Sequence, residues 1–161
     1  MVTAYVGLGA NLGDAASSVS QAVDLLSQLP HTRLCACSSL YRSAPIDATG
    51  DDFVNAAVQL DTRLDAHTLL TELQHIESRF GRERPFRNAP RTLDLDLLVF
   101  GTDTICDSTL EVPHPRMANR AFVLLPLHEL NPQLQIPGLG PVAPLLAQVG
   151  GQLIEKLVSA R

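Results

Sequence analysis

The apolar periodicity of this 161-residue chain changes in a fixed order, strand, helix, strand, strand, helix, strand, and that order narrows the fold more than any other feature. Residues Ala4 to Leu8 read as a buried first strand, which Gly7-Leu8-Gly9-Ala10-Asn11-Leu12-Gly13-Asp14 breaks as a strand-to-helix turn. An amphipathic helix follows near Ala15 to Leu29, with Val19, Ala22, Val23, Leu25, Leu26 and Leu29 on its apolar face. Alternation returns over Leu34 to Arg42 and again over Phe53 to Leu60, separated by a loop with Pro45 and Gly50, as expected of paired antiparallel strands. Asp65 is the N-cap of a second helix running to about Phe80, where Leu69, Leu70, Leu73, Ile76 and Phe80 recur at helical spacing and Gly81 ends it. Leu93 to Phe100 is strand-like again. The pattern predicts a single α+β domain over residues 1–161, a ferredoxin-like (βαββαβ) sandwich with extra C-terminal helices.

A chain of this length buries roughly two-thirds of its unfolded surface, enough for one core without staples. With 45% hydrophobic and 18% charged residues it is too apolar for disorder, and its apolar runs fall short of the ~20 residues of a membrane span. No Lys or Arg precedes the first apolar stretch, so no secretory signal is read and a cytoplasmic protein is expected. Cys35, Cys37 and Cys106 cannot all pair. The first two should share one strand face, and all three are expected to be reduced, buried and small. A net charge of −5 and 4% aromatic residues argue against a nucleic-acid binder. Yet Arg79, Arg82, Arg84, Arg87 and Arg91 crowd one short stretch, which suits a local polyanion such as a nucleotide phosphate chain.

On a strand, side chains two apart share a face, so Asp94 and Asp96 point together while Leu93, Leu95 and Leu97 point away. Spacing alone leaves two readings. The pair is either the polar face of an amphipathic strand or a site for a hard divalent cation such as magnesium, which uses one or two carboxylates plus substrate phosphates. Arg82, Arg84, Arg87 and Arg91 lead directly into it and offer forked donors to phosphate oxygens, although they could equally pair with Glu77 and Glu83. The glycines near the start lack the Gly-Lys-Ser/Thr ending of a P-loop and miss the dinucleotide fingerprint by one residue. His114, between Pro113 and Pro115, cannot lie in a regular element; it is either structural or a phosphate donor.

Several segments carry a closer likeness: Tyr5-Val6-Gly7-Leu8-Gly9-Ala10-Asn11-Leu12-Gly13, Phe53-Val54-Asn55-Ala56-Ala57, Gly81-Arg82-Glu83-Arg84, Ala89 to Leu98, Val112 to Met117, and Asn119-Arg120-Ala121-Phe122. Through them the chain resembles, over essentially its whole length, the 6-hydroxymethyl-7,8-dihydropterin pyrophosphokinases of folate biosynthesis. The resemblance implies transfer of the β,γ-diphosphoryl group of ATP to the pterin hydroxymethyl oxygen, with release of AMP. It implies two Mg2+ ions held by Asp94 and Asp96, and Arg82 and Arg91 stabilising the triphosphate. Gln74, Glu77, Arg84 and Leu97 would help to bind ATP, while His114 and Arg120 would contact its phosphates. Phe53 and Phe122 would sandwich the pterin ring, Asn55 would read its polar edge, and main-chain groups at Ser43, Ala44 and Ile46 would complete the pocket. A loop from about Arg82 to Pro90 would close over ATP, without the tryptophan that family members often carry there. The resemblance further implies a monomer with no nucleic-acid or membrane partner. The competing class is a non-catalytic ferredoxin-like sensing module, which would need no paired aspartates beside arginines.

Overall fold

The computed structural model describes residues 1–11, 14–43, 52–81, 93–152 and 154–159. Strand β1 (Val2–Ala10) leads to helix α1 (Ala15–Leu26), whose first turn is capped by Asp14 accepting the Ser17 N–H at 3.1 Å. Strands β2 (Thr32–Cys37), β3 (Ser39–Ser43) and β4 (Phe53–Thr62) precede helix α2 (Ala66–Gly81). The expected cap is present there: Asp65 Oδ1 accepts the Thr68 N–H at 2.8 Å. Strand β5 (Asp94–Phe100) closes the strand–helix order read from the sequence.

All pairings of the main sheet are antiparallel, in the order β10-β3-β4-β1-β5, with β2 also paired to β4. The alternating run over Leu34 to Arg42 is therefore two strands on one edge of β4, parted at Ser38. This buried serine bridges the break itself: its N–H donates to the Ala57 carbonyl and its hydroxyl accepts the Ala57 N–H, each at 2.9 Å.

The sheet carries a core on each face. Ala4, Val6, Leu8 and Ala10 of β1 pack with Leu95 and Leu97 of β5 against Val19, Val23 and Leu26 of α1 and Leu69, Leu73 and Ile76 of α2. On the other face, Tyr5, Ala57, Leu98 and Val99 pack with Met117, Leu124 and Leu127. The last two belong to helix α3 (Ala121–Leu130), entered through a 3-10 turn at Met117–Asn119.

The C-terminal part is more than a helical layer. Short strands β6 (Ile105–Cys106) and β7 (Glu111–Val112) pair, as do β8 (Gln135–Ile136) and β9 (Gly140–Pro141). After helix α4 (Val142–Gln148), β10 (Ile154–Ser159) joins the main sheet beside β3. Two-residue strands leave no periodicity to read. Among the described residues, no helix is long and apolar enough to cross a membrane.

The cysteines depart from expectation. All three are free thiols, but Cys35 and Cys106 are exposed and Cys37 is half-buried. The cause at Cys35 is a bulge: Leu34 pairs with Leu60 and Ala36 with Gln59, so Cys35 is an extra residue. The bulge turns Leu34 and Cys37 toward the core and Cys35 outward.

Candidate functional site

Cross-strand partners in an antiparallel sheet share a face. Gly9 of β1 pairs with Asn55 of β4 on one side and with Asp94 of β5 on the other, and Gly7 pairs likewise with Ala57 and Asp96. Two rows result, Asn55–Gly9–Asp94 and Ala57–Gly7–Asp96, on the face opposite α1 and α2. They floor a cavity of about 250 Å³, walled by Phe53, Leu98, Arg120, Phe122 and Val123. The burial pattern of β5 alternates as the sequence requires: both aspartates are exposed, whereas Leu93, Leu95 and Leu97 are buried among the helices.

One wall is polar and held in place. Asn55 is only 4% exposed, and its Nδ2 donates to Ser43 Oγ at 2.9 Å. Ser43 pairs with Phe53 across β3 and β4, which brings that half-buried ring to the rim. The facing rim is the start of α3, where the Arg120 guanidinium lies 5.4 Å from the centroid of the Phe122 ring. Phe53 and Phe122 therefore both line the cavity, from opposite elements.

His114 stands beside the row that ends in Asp96. Its main-chain N–H donates to the Leu98 carbonyl at 3.0 Å, and Nε2 lies 3.9 Å from Asp96 Oδ1. Leu98 is itself a bulge, the extra residue between the Val6–Leu97 and Tyr5–Val99 pairs. Burial is the main cause holding the imidazole pKa below its ordinary 6.5; Arg120 and Arg116 push the same way, against the pull of Asp96. The ring is thus kept neutral. Nδ1 accepts the Arg116 N–H at 3.3 Å, which leaves the proton on Nε2, facing Asp96.

From the other face of the sheet, Glu77 of α2 reaches the strand edge, where its Oε2 accepts the Leu95 N–H at 2.8 Å. Gln74 is exposed on the same helix, and Leu97 is 3% exposed within the helical-side core. Arg82, Arg84, Arg91, Ala44 and Ile46 lie outside the described residues, as does the loop expected to close over ATP.

Among the described residues no group of three or more His, Cys, Asp and Glu could hold a metal ion. The donor set is two carboxylates on one face, opening onto a cavity. That suits magnesium, which completes its shell with phosphate oxygens and water, and is too sparse for zinc, which wants three or four protein ligands.

Gly7 and Gly9 were not legible as site residues. Read as turn formers, they lie within β1 and serve as bare floor. Their role could have been found from their spacing of two, which places both on the face of the aspartates once strand pairing is known.

Residues 5–132 match the family described as 7,8-dihydro-6-hydroxymethylpterin-pyrophosphokinase (HPPK). The chain is 45% identical over 157 residues to a 2-amino-4-hydroxy-6-hydroxymethyldihydropteridine pyrophosphokinase of Pseudomonas aeruginosa, covering 97% of each. It is 39% identical to the protein of the same name in Haemophilus influenzae, covering 98% of this chain and 99% of that one. In fold it is similar to a Plasmodium falciparum HPPK-DHPS structure, with a TM-score of 0.75 at 16% identity over 91% of this chain. It spans 44% of the length of that longer protein.

Proposed function

The chain belongs to the 7,8-dihydro-6-hydroxymethylpterin-pyrophosphokinase family, and on that premise we propose that its reaction takes place in the cavity floored by Gly7 and Gly9. The protein is a pyrophosphokinase acting on hydroxymethyldihydropterin in folate biosynthesis, with ATP as the donor that the reaction implies. The observation that most supports the placement is the register: the row Asn55–Gly9–Asp94 sets a polar reader of a flat ring and a metal-type carboxylate two strands apart. Neighbouring strands lie about 4.8 Å apart, so the two stand roughly 10 Å from one another, about the span of a pterin and its hydroxymethyl arm.

In this reading Phe53 and Phe122 sandwich the pterin ring, Asn55 bonds its polar edge, and main-chain groups at Ser43, Ala44 and Ile46 complete the pocket. The hydroxymethyl oxygen attacks the β-phosphorus of ATP in line. The bond from that phosphorus to the oxygen bridging it to the α-phosphate breaks, AMP leaves with that oxygen, and the hydroxymethyl proton is released. Asp94 and Asp96 hold Mg2+, two ions in our proposal. Bound there, the metal offsets charge on the phosphate oxygens. Arg82 and Arg91 stabilise the triphosphate during transfer. Gln74, Glu77 and Arg84 bind ATP, and Leu97, whose side chain is buried, contributes through its main chain. Neutral His114 donates from Nε2 to a phosphate oxygen, and Arg120 adds a cation at the rim. The loop from Arg82 to Pro90 closes over the nucleotide and excludes water.

We also take the sheet as a ferredoxin-like sandwich, since β1 and β4 each lie between the strands joined by the other's helix. We take the enzyme as a monomer, as the family resemblance implies. Incubation with ATP, magnesium and the hydroxymethyldihydropterin should yield AMP and the pterin diphosphate; ADP as the sole nucleotide product overturns the diphosphoryl assignment.

A further inference from the structure

Gly9 has an ordinary strand backbone, so a side chain there would cause no conformational strain; what it would meet is a neighbour. A Cβ built on Gly9 falls 3.0 Å from Asn55 Oδ1, and among the described residues no other atom beyond its chain neighbours lies within 4 Å. The Asn55 amide cannot readily yield. It is 4% exposed, bonded to Ser43 Oγ at 2.9 Å, and seated directly across the β1–β4 pair from Gly9. Asp94, the other cross-strand neighbour of Gly9, is clear of that Cβ. Gly7 differs: a Cβ there meets the apolar Leu98 side chain at 3.2 Å.

We propose that Gly9 is a positioning residue for the acceptor, whose missing side chain lets Ser43 hold the Asn55 amide turned over β1, where it reads the acceptor's polar edge. The proposal rests on the reading of Asn55 as the group that binds the pterin. A methyl at residue 9 displaces the amide from Ser43 and tilts it off the ring edge, so it weakens acceptor binding through a residue it does not replace. The metal-side carboxylates are left alone. Gly9 thereby separates the two substrates: the acceptor's fit depends on it and the nucleotide's does not.

The test is a double-mutant cycle on the full chain with Gly9→Ala, Asn55→Ala and the double variant, read by AMP formation and by calorimetric titration of ATP with magnesium. Gly9→Ala should raise KM for the pterin about tenfold, the equivalent of one lost hydrogen bond, with the affinity for ATP and magnesium unchanged. The double variant should be no worse than Asn55→Ala alone, because the methyl then has nothing to displace. Additive losses, an unchanged pterin KM, or an equal loss of nucleotide affinity would each overturn the proposal. If Gly9→Ala does not fold, the double variant decides: recovery of folding supports the clash with Asn55, and continued failure overturns it. Wild-type enzyme that makes no AMP would instead sink the underlying reading of the site.

Discussion

The carboxylate of Glu77 accepts the main-chain N–H of Leu95 at 2.8 Å, and Leu95 is the residue between Asp94 and Asp96. Among the described residues β5 is the last strand of its sheet, so its outer row of amides meets no described strand. Glu77 fills one such place from α2 and fixes the backbone on which both aspartates stand. Glu77→Ala should cost about 1–2 kcal/mol in denaturant unfolding and raise the magnesium concentration needed for half-maximal rate. Glu77→Gln, which keeps an acceptor, should recover most of the stability.

Asp94→Ala and Asp96→Ala test the metal assignment. Both side chains are exposed, so neither change should lower the melting temperature appreciably. AMP formation should fall on the order of a hundredfold or more. Excess magnesium should not restore it. A variant that retains wild-type turnover would remove that aspartate from the reaction.

The two cores should respond differently to truncation. Leu73 and Leu124 are both fully buried, one on the inner face of α2 and the other within α3. Each change to Ala should destabilise by about 2–5 kcal/mol. Only Leu124→Ala should also raise KM for the pterin, because α3 carries Phe122 to the rim of the cavity. Steady-state kinetics beside chemical denaturation separates the two effects.

Glu129 ties the far end of α3 to the sheet. It accepts the Ser39 N–H at 3.0 Å, the Ser39 hydroxyl at 3.0 Å and the Tyr41 hydroxyl. Burial pulls its pKa up, but the bonds from Tyr41 and Ser39 outweigh it and hold the carboxyl below its ordinary 4.5. A depressed pKa contributes stability that is present above the unfolded value and lost as pH falls through the folded one. Glu129→Gln should therefore melt earlier than wild type at pH 7, and the gap should close below about pH 4.5. A gap that stays constant from pH 7 to pH 3 would discount the charge of Glu129.

Much of this fold was written in periodicity. The stripe from Leu69 to Phe80 and the alternation from Leu93 to Leu97 gave α2 and β5 nearly to the residue, because burial on one face imposes those repeats. The aspartate pair followed from the same alternation. What escaped was set by partners distant in sequence. Gly7 and Gly9 look like a turn until β4 and β5 flank them, and Cys35 looks like an inward residue until a bulge opposite Gln59 turns it out. Neither the Ser43–Asn55 bond nor the seat of His114 on the Leu98 carbonyl leaves any trace in local composition. The arginine loop, the most suggestive part of the sequence, falls outside the described residues.

The bulge at Leu98 makes β5 a strand with two phases. Val99 and Phe100 are locked to Tyr5 and Ala4, while Asp94 and Asp96 are locked to Gly9 and Gly7, and one surplus residue separates the two registers. Deleting Leu98 would remove that surplus and join the Val6–Leu97 and Tyr5–Val99 pairs into one continuous ladder, with both registers kept. The aspartates would stay beside Gly9 and Gly7, but the cavity would lose the wall that Leu98 supplies and His114 the carbonyl that seats its main chain. A one-residue deletion would thus strip one side of the site while its carboxylates kept their places.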